Sequence, residues 1–205
     1  VTLTIHDQII QGSDEWLEQR RGLVTASVVG KLITPKTVKP SSNPDSRGLA
    51  MLLAAERITG WSEPVYVNAD MQRGLDDEPI ARDKYAEHYA PVSETGFMTE
   101  DRWGFVIGYS PDGLVGNDGL IEIKSRRAKT QLATILADEV PLENMAQLQT
   151  GLLVSGRQWI DYVSFAGGMP LFVKRVYPQQ KWFDAITEAV DIAEATMASM
   201  ILNYN

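Results

Sequence analysis

The sequence predicts an α/β domain with a central mixed β-sheet flanked by α-helices. Three observations carry this. Helical periodicity dominates the early chain, and short alternating apolar runs bounded by turn residues cluster in the middle. A helical stretch then crosses back into two more strand-like runs before a long C-terminal helix. With 205 residues and 44% hydrophobic content, the chain suits one well-cored domain over 1–205, and no linker divides it.

Residues 1–11 alternate weakly and read as an extended lead-in. Ser13 before Asp14-Glu15 predicts a helix start, with an N-cap hydroxyl and acids where the macrodipole favours them. This helix carries Trp16, Leu17 and Arg20 and stops near Gly22. Thr25-Ala26-Ser27 is expected to open a second helix through Lys31-Leu32-Ile33. Residues 34–48, with three prolines, read as a long exposed loop. The next helix has Met51, Leu52, Leu53, Ala54, Ala55 and Ile58 as apolar positions and ends at Gly60.

A short apolar piece, Val65-Tyr66-Val67, precedes Asp76-Asp77-Glu78-Pro79, which predicts an acidic helix start running on through Ile80, Ala81, Tyr85 and Tyr89. Strands are expected at 93–98, 104–109 and 119–125. A helical segment at 130–137 and a helix at 142–155, capped by Gly156, follow. Met145, Leu148, Leu152 and Leu153 form the buried stripe of the second, with Gln147 one step from it. Strands at 158–165 and 170–177 lead to a helix at 181–202, whose Phe183, Ile186, Val190, Ala193, Met197 and Ile201 form a core face.

Composition removes several chemistries. The absence of Cys excludes disulfides, thiolate metal sites and cysteine nucleophiles, and two distant histidines, His6 and His88, supply imidazole chemistry poorly. No apolar run approaches a membrane span and no export signal is visible, so a cytoplasmic protein without membrane contact is expected. A net charge of −8 argues against a DNA-coating protein, but not against an enzyme that holds nucleic acid in one lined channel.

The stretch from Tyr109 to Lys124 carries the chemistry. It reads as two short strands joined by Gly116-Asn117-Asp118-Gly119, with Asp112 on the first arm and Glu122 and Lys124 on one face of the second. Two carboxylates and an ammonium suit a hard divalent cation that keeps its waters, one of which the lysine orients. That set predicts metal-dependent hydrolysis of a phosphodiester. Turn chemistry and a cross-strand ion pair would produce the same residues. Glu78 is a candidate third ligand.

The Thr25-Ala26-Ser27 helix start, with Arg20 nearby, would make an anion site of free N–H groups, hydroxyls and a guanidinium. Thr25 as a plain N-cap, with Arg20 snorkelling over Trp16, is the other reading.

The ordered set of Trp16, Arg20-x-Gly22-x-x-Thr25-Ala26-Ser27, Gly74, Glu78, Ser110-Pro111-Asp112-Gly113-Leu114, Glu122-x-Lys124 and Ala146-Gln147-x-Gln149 resembles the phage lambda exonuclease and YqaJ-type viral recombinase family. That family belongs to the restriction-endonuclease-like nucleases. The resemblance covers about two-thirds of the chain. It implies a restriction-endonuclease-like fold and a 5′-to-3′ exonuclease on linear double-stranded DNA, releasing mononucleotides and leaving a 3′ single strand for an annealing partner. It implies a ring-shaped homotrimer around DNA in a phage or prophage setting.

By motif position, Asp112, Glu122, the Ile123 carbonyl and Glu78 would bind Mg2+, with Mn2+ as a substitute and two ions per site. Lys124 and Gln147 would complete the catalytic set. Arg20, Ser27 and Ser110 would hold the terminal 5′-phosphate. The loop at 34–48 departs from relatives in composition, so no strand-separating residue is assigned there. Two rival readings stand beside this one. The first is a structure- or sequence-specific endonuclease of the same fold. The second is a non-catalytic DNA-end-binding recombination partner.

Overall fold

In the computed structural model, which describes residues 2–64 and 66–204, strand β1 (Thr4–His6) leads into helix α1 (Asp14–Arg20). As expected, Ser13 caps α1, its hydroxyl accepting from Trp16 N at 3.2 Å. The turn that follows the helix carries Gly22, whose φ of +68° suits glycine. Gly22 N donates to Glu56 at 2.7 Å and its carbonyl accepts from Arg57 at 2.8 Å.

The expected second helix is absent. Val24–Thr25 forms strand β2, buried and paired in parallel with Ile107-Gly108, and only a 3₁₀ turn follows at Val29–Leu32. The β-branched Val24 and Thr25 fit a pleated edge better than a helix. The anticipated loop at 34–48 is also partly ordered. Strands β3 (Ile33–Thr34) and β4 (Lys39–Pro40) pair as a ribbon, and helix α2 (Pro44–Thr59) starts inside the stretch. Asn43 and Ser46 form its capping box, Pro44 takes the first turn, and Gly60 closes it in the left-handed region as expected.

Helix α3 (Ala69–His88) begins well before the acids that were expected to open it, capped by Asn68. Pro79 therefore lies inside the helix. It sits on the exposed face, and Leu75, whose carbonyl it leaves without its helical partner, is itself exposed. Asp76, Asp77 and Glu78 are thus mid-helix, away from the dipole that the sequence suggested they complement. The apolar piece at 65–67 falls partly outside the described residues, and Tyr66 and Val67 are exposed.

Strand β5 (Phe97–Glu100) is shorter and later than expected, with an isolated bridge at Ser93, and β6 is confined to Ile107–Tyr109. The hairpin of β7 (Gly113–Val115) and β8 (Gly119–Ser125) forms as expected. Helices α4 (Ala128–Ala137) and α5 (Leu142–Ser155), strands β9 (Trp159–Phe165) and β10 (Phe172–Val176), and helix α6 (Gln180–Tyr204) complete the chain.

The fold is α/β with mixed sheets flanked by helices, but the expected single sheet is split. One four-stranded sheet has the order β1-β5-β6-β2 and the other β10-β9-β8-β7. Leu120, Ile160 and Tyr162 face a large core shared with α2, α5 and α6. Ile121, Ile123, Val163 and Phe165 face a smaller core under Ala81 and Tyr85 of α3. The chain crosses from one sheet to the other at Ser110-Pro111-Asp112, between β6 and β7. The site lies at that seam.

Candidate active site

Strand β8 outruns its hairpin partner. β7 pairs only with residues 119–121, so the edge of 122–125 stays open to the seam. Alternation puts Glu122 and Lys124 on the α5 side of that edge. Lys124 Nζ lies 2.8 Å from Glu122 Oε1, and Gln147 on α5 donates to the same oxygen. Asp112, at the start of the hairpin, reaches the open edge and accepts from Ile123 N at 2.6 Å through Oδ2. In extended backbone a residue's N–H and C=O point to the same edge, so the Ile123 carbonyl also faces the Asp112 side.

Glu78 arrives from the other face of the sheet. On α3, Gly74, Glu78, Ala81 and Tyr85 recur at helical spacing and turn inward. Arg82 holds this corner: it donates to Glu78 Oε1, to the Asp112 carbonyl at 2.9 Å and pairs with Glu94 at 3.1 Å. The sequence reading missed Arg82. Its signal was the i, i+4 spacing from Glu78.

These charges crowd one another. Burial, then the charges of Glu122 and Glu78, raise the Asp112 pKa well above the ordinary range. Burial raises that of Glu78, with Arg82 opposing and Glu122 and Glu94 adding to the rise. For Lys124 burial favours the neutral amine, but the pull of Glu122 and Asp112 outweighs it and raises the pKa. Glu122 is 2% exposed, and its Oε2 has no hydrogen-bond partner among the described residues.

Crowded carboxylates with an unpaired oxygen fit a hard divalent cation by their donor chemistry. Among the described residues no three acidic or histidine side chains stand together as a finished cage. Glu78 faces Arg82, while Glu122 is engaged by Lys124 and Gln147.

The other end of the cleft is built around Arg20. It stacks on Trp16 at 4.0 Å and donates to Ser27 Oγ at 3.0 Å, Thr25 Oγ1 at 3.3 Å and, more weakly, Ser110 Oγ at 3.5 Å. Trp16 Nε1 also donates to Ser110 Oγ, at 2.8 Å. The parallel β2–β6 pair and the Ala26 N to Gly108 O bond at 2.8 Å set these hydroxyls side by side.

Where an anion site at a helix N-terminus was expected, the structure places a hydroxyl cluster beyond two strand ends. Arg20 stacks on Trp16, as one reading had it, and also donates to the hydroxyls, while Thr25 caps no helix because it lies in β2. Among the described residues no carboxylate forms an ion pair with Arg20. Burial lowers its pKa to about 10, with Glu56 opposing, which leaves the guanidinium charged and in want of an anion.

All the residues assigned from the sequence, Arg20, Ser27, Glu78, Ser110, Asp112, Glu122, Ile123, Lys124 and Gln147, line one cleft of about 550 Å³. His88, set aside as a ligand, lies on the exposed surface.

The architecture recurs in solved structures. An alkaline exonuclease (LHK-Exo) from Laribacter hongkongensis is 32% identical, with a TM-score of 0.84 over 94% of this chain and 96% of that one. Its complex with dAMP matches to the same degree, at 32% identity, TM-score 0.84 and coverage of 94% and 96%. A phage related exonuclease from Haemophilus somnus 129PT, 16% identical, shares the fold at a TM-score of 0.65 over 89% of this chain and 96% of that one. No curated protein matches the chain. The YqaJ-like viral recombinase domain matches residues 15–158, which include every cleft residue assigned from the sequence. With most of the sequence so matched, this chain belongs to the YqaJ-like viral recombinase domain family.

Proposed function

We propose that the chain is a Mg2+-dependent 5′-to-3′ exonuclease acting on the ends of linear double-stranded DNA. Membership of the YqaJ-like family and the likeness to an alkaline exonuclease support a DNA exonuclease. The observation that carries the finer reading is the shape of the one cleft: at one end a hydroxyl-lined guanidinium without an ion-pair partner among the described residues, and at the other three carboxylates with a lysine. A terminal 5′-phosphate held at Arg20, Ser27 and Ser110 would lay the next phosphodiester against Asp112, Glu122, Glu78 and the Ile123 carbonyl.

Bound at those oxygens, Mg2+ or Mn2+, as two ions per site, supplies charge for the attacking and leaving oxygens. Lys124, fixed by Glu122, orients the attacking water and keeps its proton at Nζ. Gln147 restrains Glu122 and borders the phosphate. Contacts confined to phosphates make cutting independent of sequence. Mononucleotides leave one after another, which the dAMP complex of LHK-Exo fits, and a 3′ single strand remains for an annealing protein. A ring-shaped homotrimer enclosing the duplex belongs to the same proposal, as does a cytoplasmic setting. No helix among the described residues is long and apolar enough to cross a membrane.

The test uses defined DNA ends. With Mg2+, purified protein releases mononucleotides from linear duplex bearing 5′-phosphate, more slowly from 5′-hydroxyl ends, and not from closed circles or with chelator. Equal digestion of circular and linear DNA would replace the exonuclease by an endonuclease of the same fold. End binding without any digestion would leave the non-catalytic binding partner.

A further inference from the structure

Two enclosed oxygens on the floor of the cleft have no hydrogen-bond partner among the described residues: the Tyr109 hydroxyl and Glu122 Oε2. Buried polar atoms are rarely left unpaired, and two in one site call for a joint explanation. Tyr109 ends β6, is 1% exposed, and lines the same cleft as Glu122. Among charged groups, Glu122 acts most strongly on its phenol.

Helix α5 explains how the ring gets there. Gln147 and Gly151 lie one turn apart on the same helix face. Gln147 donates to Glu122 Oε1. A Cβ at Gly151 would stand 2.7 Å from Tyr109 Cζ and 3.0 Å from its hydroxyl, so the glycine leaves the space that the end of the ring fills. One face of α5 thus offers a donor to one carboxylate oxygen and a gap for the group beside the other.

We propose that Tyr109 is a positioning residue whose hydroxyl donates to Glu122 Oε2 and, with Lys124 and Gln147 on Oε1, aims the carboxylate at a divalent cation. A carboxylate has about four lone-pair directions. Three donors therefore fix its rotation and leave one direction for the cation. The inference rests on the cation-site reading above, and Tyr109 acts through Glu122 without touching DNA.

The test measures Mn2+ binding by titration calorimetry on purified protein without DNA, together with digestion kinetics. Tyr109→Phe keeps the ring and the fold, checked by thermal melting. It is expected to weaken Mn2+ binding about tenfold, the usual cost of losing a partner of a metal ligand. The digestion kcat falls with it, while KM for DNA ends stays near that of the unaltered protein. Gly151→Ala, which crowds the same ring, is expected to weaken Mn2+ binding in the same direction. Unaltered Mn2+ affinity and kcat in a folded Tyr109→Phe protein would overturn the inference and leave the proposed function standing. Failure of the unaltered protein to bind Mn2+ would overturn both.

Discussion

Arg20 and Asp112 hold opposite ends of the cleft, and each is a titratable group set in costly surroundings. Arg20 is a partly buried cation whose partners are hydroxyls and an aromatic face. A charge-assisted bond to a buried group is worth about 1.5–3 kcal/mol. Arg20→Ala should therefore reduce the ratio of cutting rates on 5′-phosphate and 5′-hydroxyl ends by about 10- to 100-fold, with Mn2+ binding unchanged. Parallel rate measurements on the two ends check this.

Asp112 is a carboxyl whose pKa burial and two neighbouring carboxylates raise in the folded state. The folded protein then binds more protons than the unfolded chain. Stability from this group is full below the unfolded pKa near 4 and is lost as pH rises through the higher folded value, at about 1.4 kcal/mol per unit of separation. With chelator present, the protein should melt at lower temperature above neutral pH than near pH 5. Asp112→Asn, which still accepts from Ile123 N, should flatten that slope while abolishing digestion. Melting curves across pH decide it, and an unchanged slope counts against the electrostatic account.

Elements decide how well these residues are aimed. Glu78 depends on the seating of α3, and α3 is anchored two turns further on. The Tyr85 hydroxyl donates to buried Asp161 at 2.6 Å, and Arg175 clasps the same carboxylate at 2.8 and 2.9 Å while stacking on Trp159 at 3.5 Å. Asp161→Ala leaves a buried phenol without its acceptor. A cost of about 1–3 kcal/mol is expected, measured by denaturant unfolding, with a fall in activity because Glu78 loses its register. Wild-type activity at equal folded fraction would show that α3 is held by packing alone.

Much of this was legible in the sequence, element by element. The hairpin bearing Asp112, Glu122 and Lys124 was readable because turn residues and alternation are local signals. The Ser13 cap and the two C-terminal helices were readable for the same reason. What escaped was tertiary. Val24-Thr25 is a strand because β6 lies beside it, α3 runs through Pro79 because its exposed side tolerates the missing donor, and the sheet divides where the chain passes from β6 to β7. Arg82 left only its helical spacing from Glu78 as a signal, and its bond to the Asp112 carbonyl and the place of Tyr109 beside Glu122 depend on the tertiary fold.

For the whole molecule, the seam between the sheets gathers carboxylates from α3, the β7–β8 hairpin and β8. A cation bound there joins elements that otherwise repel at this point. A ligand at about a hundred times its Kd stabilises by about 2.7 kcal/mol. For a chain of this size that corresponds to a Tm rise on the order of 5–10 °C. Saturating Mg2+ or Mn2+ should produce such a rise, and Asp112→Asn should remove it, as read by differential scanning calorimetry.

The peptide that crosses the seam has one more consequence. Ser110 stands with the Arg20 cluster and Asp112 with the carboxylates, and buried Pro111 is all that separates them. If the cleft acts as proposed, the spacer that would set each cut is a covalent tripeptide stiffened by a proline ring. One extra residue adds up to about 3.5 Å, comparable to the axial step of about 3.4 Å between successive phosphates of a strand. A single glycine inserted after Pro111 should spoil the metering and blur product length, even where every liganding side chain is kept.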